Sequence, residues 1–306
     1  MVFSASSVTV LVPATSANLG PGFDSLGVAL SVYDKVTARV TGDHVRVSVS
    51  GEGAGELPTD EEHLVAATML TTFGRLGCRP PGLEVLCANE IPQARGMGSS
   101  SAAIVAGILL AQHLAEGGPD LLGQAGAVGL AAELEGHPDN VSPCVLGGFT
   151  IAWTDDPGRP DGGACAVRLH DAKGVAAVIF VPRQRGYTAH ARAVLPVSVP
   201  LKHAAFNVAR SALLVRALTG SPDLLFAATE DRICQEYRAA AMPDTAKLVT
   251  ALRADGIAAV VSGAGPSVLA LVPDDQRLVE EAQRRCPDGW WAREIAIAAE
   301  GARVVR

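Results

Sequence analysis

The 306 residues contain no G-x-x-x-x-G-K-[ST] segment, which excludes a P-loop and its phosphate-binding lysine. The glycine- and serine-rich stretch near residue 98 also lacks the G-x-G-x-x-G spacing of a dinucleotide fold. Six cysteines, at 78, 87, 144, 165, 234 and 286, form no C-x-x-C pair and no zinc-like spacing with the seven histidines, so reduced structural thiols are expected. There is no Lys/Arg cluster, and the tryptophans are confined to Trp153, Trp290 and Trp291, which argues against nucleic acid as a partner. The longest wholly apolar run, Ala102 to Ala111, falls short of the ~18–20 residues of a membrane span. Met1 to Ser7 has no basic region ahead of an apolar stretch, so no membrane partner and a cytoplasmic location are expected. Internal repeats, heptads and low-complexity tracts are likewise missing.

What is present is an ordinary globular composition, 48% hydrophobic and 19% charged, enough for a substantial core. At ~100–200 residues per domain, one or two domains are expected. Twenty-five basic against 32 acidic residues give a net charge of −7, so an anionic ligand must be held by local groups.

One segment offers such groups: Ile91-Pro92-Gln93-Ala94-Arg95-Gly96-Met97-Gly98-Ser99-Ser100-Ser101-Ala102-Ala103. It reads as a glycine-rich loop opening onto a helix. Gly96 and Gly98 can take positive φ and aim successive backbone N–H groups into one concavity, to which the helix start adds unpaired amides and its positive dipole end. Ser99, Ser100 and Ser101 stand where they could cap the helix, bond phosphate oxygens or coordinate magnesium.

Around this loop the pattern predicts strands and helices without strict alternation. Ser7 to Val12 reads as a strand ended by Pro13, and Lys35–Val40 with His44–Val49 as a hairpin about Gly42-Asp43. Glu61–Leu76 has helical spacing, Gly82–Ala88 reads as a strand, and Ser99–His113 is apolar almost all round, hence a buried helix. A second helix, Leu121–Leu134, leads into Glu135-Gly136-His137-Pro138-Asp139-Asn140, and Gly148–Thr154 reads as a strand. The polar stretch Asp155–Gly163 is the candidate boundary between residues 1–160 and 161–306. Beyond it, Val175–Val181 is strand-like. Leu201–Leu218 is helical with Ala205, Val208, Ala212, Val215 and Leu218 on one face, and Asp244–Arg253 is helical. Ile257–Val261 and Ser267–Val272 are strands joined by a tight Ser262-Gly263-Ala264-Gly265-Pro266 turn. The fold class is α+β in two halves.

Three further groupings carry chemistry. Pro13 to Asp24 sets Asn18 and Asp24 among glycines, either as a simple Asn/Gly turn or as backbone open to a ligand. His137, Asp139 and Asn140 gather beside Glu135, as a hydrogen-bonded helix end or, because a glutamate there opposes the helix dipole, around a cation such as magnesium. Thr188 and Arg192 lie four apart, and Arg238 ends Asp231–Arg238; each arginine is either a solvated charge or a carboxylate clamp.

Taken in order, the Pro13–Asp24 segment, the Pro92–Ala103 loop and the Ser262–Ser267 turn resemble the GHMP kinase superfamily over nearly the whole chain. Ala14 to Asp24, His137-Pro138-Asp139-Asn140, Thr188/Arg192 and Tyr237-Arg238 resemble its homoserine-phosphorylating branch. That resemblance implies a ribosomal-S5-like N-terminal domain packed on a ferredoxin-like C-terminal domain, with the active site between them. It implies ATP and L-homoserine as substrates, a step towards threonine, magnesium as cofactor and a possible homodimer. Pro92 to Ala102 would take the ATP phosphates, with Gly263 and Gly265 shaping the site. Ser100 and Glu135 would hold magnesium, Glu133 being the alternative. Asn18, Asp24, His137, Asn140, Thr188, Arg192 and Arg238 would bind homoserine. Asn18, Asn140 and Arg192 would also take part in catalysis, and Asp139 could accept the hydroxyl proton. Cys234 stands where that branch commonly has histidine, and Met97 where it has leucine, a near-isosteric change.

Overall fold

The structure, a computed structural model, describes residue 3 and residues 6–155, 163–169, 174–186 and 188–305, with the side chains of residues 188 and 189 left aside. The first half runs β1 (Val8–Ala17), β2 (Leu26–Thr41), β3 (Val45–Gly51), α1 (Leu64–Arg75), β4 (Gly82–Asn89), α2 (Ser99–Leu114), α3 (Gly118–Glu135), α4 (Pro138–Leu146) and β5 (Phe149–Thr154). The second runs β6 (Ala164–Arg168), β7 (Val175–Pro182), α5 (Thr188–Ala193), α6 (Leu201–Leu218), α7 (Leu225–Ala228), α8 (Gln235–Arg238), α9 (Pro243–Ala254), β8 (Ala258–Val261), β9 (Val268–Pro273), α10 (Gln276–Gln283), β10 (Trp290–Ile295) and β11 (Arg303–Val305).

Among the described residues the strands form two sheets. One has seven strands, in the order β11-β1-β2-β4-β3, with β5 on β2 and β6 on β5. The other is β10-β7-β9-β8, antiparallel throughout. In β7 the even residues Val178 and Phe180 pack under α9 and α10 with Leu248, Leu252 and Val279. The odd residues Ala177, Ile179 and Val181 join the large core with Leu214 and Leu218 of α6. Both faces of this strand are covered, which is why it reads as one continuous apolar run. The mixed α+β character expected from the sequence is what the chain adopts. No described helix is long and apolar enough to cross a membrane.

Four local expectations need correction. The predicted β2–β3 hairpin does not form: β4 inserts between the two, antiparallel to β2 and parallel to β3. Alternation marks a strand but carries no information about its neighbour. β1 continues through Pro13, where a register shift between Pro13 and Ala14 accommodates the missing N–H. His137 to Asn140 do not close the preceding helix but open the next one; His137 is the N-cap of α4, and Pro138 its first residue.

Of the apolar stripe expected on α6, Ala205, Val208 and Ala212 face outward, with Val208 71% exposed, while Val215 and Leu218 turn to the core. The inward face is Asn207, Ser211, Leu214 and Leu218, because Asn207 Nδ2 donates to Asp231 Oδ1 at 2.7 Å and Ser211 Oγ to the Pro21 carbonyl at 2.8 Å. The expected boundary at residues 160 and 161 lies outside the described residues. On its far side β6 pairs with β5, and β11 returns to β1, so the C-terminal part of the chain completes the first sheet.

Candidate active site

The loop before α2 is held in a shape only glycine permits at two positions. Gly96 and Gly98 both have φ of 70°. A Cβ on Gly98 would lie 1.9 Å from Thr15 Oγ1, and one on Gly96 2.2 Å from the Ser262 carbonyl oxygen. Backbone and hydroxyl bonds fix the loop from three sides: Thr15 N–H to the Met97 carbonyl (3.0 Å), Gly186 N–H to the Ala94 carbonyl (2.7 Å), and Ser262 Oγ to the Gly96 carbonyl (2.6 Å).

Gly98 is the N-cap of α2, and no side chain caps that helix. The serines do something else. Ser100 Oγ donates to Glu135 Oε2 at 2.8 Å and Ser101 Oγ to Glu135 Oε1 at 2.9 Å. The leading amides of α2 are therefore left for an anion. Glu133, the alternative metal ligand, points elsewhere and pairs with Arg75 Nη2 at 2.5 Å.

The loop forms one wall of a cleft of about 240 Å3. Ala94, Gly96, Gly98, Ser99 and Ser100 line it on that side, Gly263 and Gly265 on another. Asn18, Glu135, His137, Asp139 and Asn140 line it from β1 and the α3–α4 junction, and Arg192 and Arg238 from the C-terminal half. Arg192 grips Asp24 in a bidentate pair, Nη2 to Oδ1 at 2.6 Å and Nη1 to Oδ2 at 3.1 Å. Burial disfavours the Arg192 charge, but the Asp24 bond and charge outweigh it and raise its pKa.

Arg238 is only 3% exposed. Its Nε donates to the Ala191 carbonyl at 3.0 Å and its Nη1 to the Gly263 carbonyl at 3.2 Å. Burial lowers its pKa. Asn18 ties the two ends together, donating to the Gly263 carbonyl at 3.0 Å and accepting the Asp24 N–H at 3.2 Å.

At the α4 start, His137 Nδ1 and Asp139 Oδ1 are 2.6 Å apart. Burial works against the imidazolium, yet the bond and charge of Asp139, with Glu135 behind, carry the pKa above its ordinary value. Thr15 Oγ1 donates to Asn140 Oδ1 at 2.8 Å, which turns the Asn140 amide N–H groups outward for a ligand.

Other expected residues lie off the cleft. Pro92, Met97 and Ser101 are buried. The Arg95 guanidinium turns away to the carbonyls of Pro182, Gln93 and Arg183. Gln93 and Ala102 line a second cavity, of about 300 Å3, that meets the cleft at Ala94, Ser99 and Ser100. Thr188 begins α5, and its side chain lies outside the described residues. Cys234 is 1% exposed, a neutral thiol pushed up to about 12 by burial.

Sequence reasoning missed Thr15 and Ser262, which brace the loop, and Asp34 and His63, which line the second cavity. Asp34 Oδ1 accepts the N–H groups of Glu90 (2.7 Å) and Ile91 (2.9 Å), anchoring the start of the phosphate loop. Burial pushes its pKa up to about 6, against the pull of those two bonds. No quoted motif contains Asp34 or His63, and although Thr15 and Ser262 lie inside the Pro13–Asp24 and Ser262–Ser267 motifs, their bracing of the loop shows only in contacts between distant segments.

An amide cradle at a helix start, opposite two arginines and beside a second cavity, defines a kinase of small molecules. The models of the GHMP kinases N terminal domain and the GHMP kinases C terminal match residues 63–148 and 209–290. Homoserine kinase from Streptomyces avermitilis is 50% identical over 303 residues, covering 99% of this chain and 97% of the relative. The crystal structure of homoserine kinase from Cytophaga hutchinsonii superposes with a TM-score of 0.83 at 28% identity, covering 98% of this chain and 97% of that one. Mevalonate diphosphate decarboxylase from Staphylococcus aureus shares the fold alone, with a TM-score of 0.68 at 17% identity over 98% of each chain. The chain belongs to the GHMP kinases and, within them, to the homoserine kinase family.

Proposed function

We propose that this chain transfers the terminal phosphoryl group of ATP to the side-chain hydroxyl of L-homoserine, giving ADP and O-phospho-L-homoserine on the way to threonine. One observation carries the choice of acceptor. Arg238 keeps a guanidinium in a site only 3% exposed, and among the described residues no carboxylate forms an ion pair with it. A buried unpaired cation calls for an anion, and the carboxylate of an amino acid supplies one. The neighbouring Asp24 suits the ammonium group, and Arg192, which grips Asp24 in the structure, adds a second positive charge beside the carboxylate.

The residues fit ATP with magnesium. The phosphates would lie against the amides of Gly96 to Ser100, with the base in the second cavity. Ser100 and Glu135 bring a hydroxyl and a carboxylate to 2.8 Å beside that cradle, a hard-oxygen set suited to the ion. Magnesium, when bound, supplies charge neutralisation for the transferring phosphoryl group.

In the transfer, the homoserine oxygen bonds to the terminal phosphorus, and the bond from phosphorus to the bridging oxygen of ADP breaks. The hydroxyl proton passes to Asp139, a carboxylate 1% exposed and oriented by His137. Asn18, Asn140, Arg192 and Arg238 position the acceptor, so most of the catalysis is alignment and charge placement. A cytoplasmic homodimer belongs to the same reading.

The test is an ADP-release assay with ATP, magnesium and a panel of L-homoserine, L-serine, mevalonate and galactose. Turnover with homoserine above the others is expected. Activity on mevalonate or galactose alone would overturn the acceptor while keeping the kinase.

A further inference from the structure

A third cavity, of about 360 Å3, lies against α8 and shares no lining residue with the cleft. Gln235 and Ala239 of α8 form one wall, Ala246 and Val249 of α9 another, and Phe206 of α6 and Val261 of β8 complete a lining that is mostly apolar. The phosphoryl transfer described above makes no use of it.

Its charges are unbalanced. Arg232 and Arg253 both line it. The Arg232 guanidinium stacks on the Phe206 ring, 3.8 Å from its centroid. Arg253 spends two N–H groups on neutral acceptors, Thr229 Oγ1 at 2.9 Å and the Phe226 carbonyl at 2.8 Å, and burial lowers its pKa. The acids around them are committed elsewhere. Arg210 Nη2 holds Glu230 at 2.8 Å, and Asp231 is saturated by Asn207 and the N–H groups of Ile233, Cys234 and Gln235. Glu236 is left, and it is exposed. Two cations thus border an apolar space where one solvated carboxylate remains, and a partly desolvated guanidinium favours an anionic partner. Gln235 adds a donor, because its Oε1 accepts the Val261 N–H at 2.7 Å and its Nε2 makes no hydrogen bond among the described residues.

We propose that this cavity is an effector site for a small organic acid, one carboxylate on a short aliphatic body, and that its occupancy strengthens homoserine binding. The carboxylate meets Arg232 and Arg253, and the aliphatic body lies on Ala246, Val249 and Val261. The coupling runs through α8, which carries Arg238 into the cleft. The Gln235 bond ties that helix to β8, and β8 leads into Gly263, whose carbonyl accepts Arg238 Nη1. The cavity is open while Arg238 stands in the cleft, so an occupant selects that arrangement. By linkage, homoserine must tighten the effector by the same factor. The coupling rests on the homoserine reading above; the binding does not.

The experiment is calorimetry with hexanoate and its neutral amide, hexanamide, on the full-length wild type, Arg232→Gln and Ala246→Phe. Arg232→Gln removes an exposed cation, and Ala246→Phe fills the cavity. The wild type should bind hexanoate roughly tenfold or more tightly than hexanamide, the scale of a charged hydrogen bond. Arg232→Gln should lose most of that difference, and Ala246→Phe should lose hexanoate binding altogether. Saturating hexanoate should tighten homoserine by about fivefold in the wild type, and saturating homoserine should tighten hexanoate equally.

Equal binding of acid and amide overturns the proposal, as does hexanoate binding that survives both variants. Hexanoate expelled by homoserine sits at the arginines of the cleft, and that result overturns it too. Binding at the cavity with no change in homoserine affinity removes the effector role. If Ala246→Phe fails to melt cooperatively, Arg232→Gln decides the matter, because its side chain is on the surface. If homoserine itself neither binds nor turns over, the acceptor assignment fails, and the cavity is decided by the acid and amide alone.

Discussion

Asp34 gives the sharpest quantitative test, because its carboxylate anchors the phosphate loop from a site only 7% exposed. The perturbation is Asp34→Asn, which keeps an oxygen to accept the Glu90 and Ile91 N–H groups and removes the charge. Burial raises the Asp34 pKa from 3.8 to about 6. Between those values the folded protein holds a proton that the unfolded chain has released, so wild-type stability falls as pH rises through the window. At about 1.36 kcal/mol per pH unit, the fall attributable to Asp34 is about 3 kcal/mol. The asparagine variant lacks it. Urea unfolding of both proteins at intervals from about pH 4 to about pH 7 should show the stability of the variant minus that of the wild type rising by about 2.4 kcal/mol, the part of the full fall that this range covers. Taking the difference cancels the titration of every other group. A difference that stays flat, or that falls with pH, would refute a desolvated carboxylate at the root of the loop. Asp34→Ala tests the link to function, since it frees both N–H groups and should weaken ATP binding where asparagine preserves it.

Glu135→Ala should lower kcat by roughly 100-fold or more, the scale of losing one charge-positioning group at a phosphoryl site, while Glu133→Ala leaves kcat near wild type in the same ADP-release assay. Arg192→Ala and Arg238→Ala should each raise KM for homoserine by roughly 10- to 150-fold, the worth of a charged hydrogen bond of about 1.5–3 kcal/mol. Steady-state titration of each substrate would show KM for ATP moving far less, and equal effects on both substrates would remove the arginines from the amino-acid site. Gly98→Ala must hold alanine at φ 70° and place its Cβ 1.9 Å from Thr15 Oγ1. The strain alone is about 1–2 kcal/mol, so nucleotide titration should show ATP affinity falling about tenfold or more; unchanged affinity would mean that the loop is not the cradle.

What the sequence disclosed depended on whether a feature was local. The phosphate loop was legible because its requirement, positive φ beside a helix start, is met by glycines adjacent in the chain. The pairing of β4 between β2 and β3 was not, because alternation reports which face is buried and says nothing of the partner strand. The face of α6 was misread for a related reason. Apolar spacing favoured Ala205, Val208, Ala212, Val215 and Leu218, of which the last two do turn to the core, but at the first half of the helix one buried amide, Asn207, bonded to Asp231 from a loop 24 residues on, sets the inward face.

The same Asp231 accepts the N–H groups of Ile233, Cys234 and Gln235 and so holds the start of α8, which ends at Arg238. An outward-facing apolar stripe is therefore the consequence of building the amino-acid clamp. Asn207 fixes Asp231, Asp231 fixes α8, and α8 delivers an arginine into the cleft, oriented by its Nε–H on the Ala191 carbonyl and one Nη1–H on the Gly263 carbonyl. Cys234 fits this chain of support as a small neutral thiol buried behind the guanidinium. Its neutrality leaves Arg238 with no ion-paired carboxylate among the described residues, Asp231 and Asp24 acting on it only at a distance, which is the condition that makes a substrate carboxylate the natural partner.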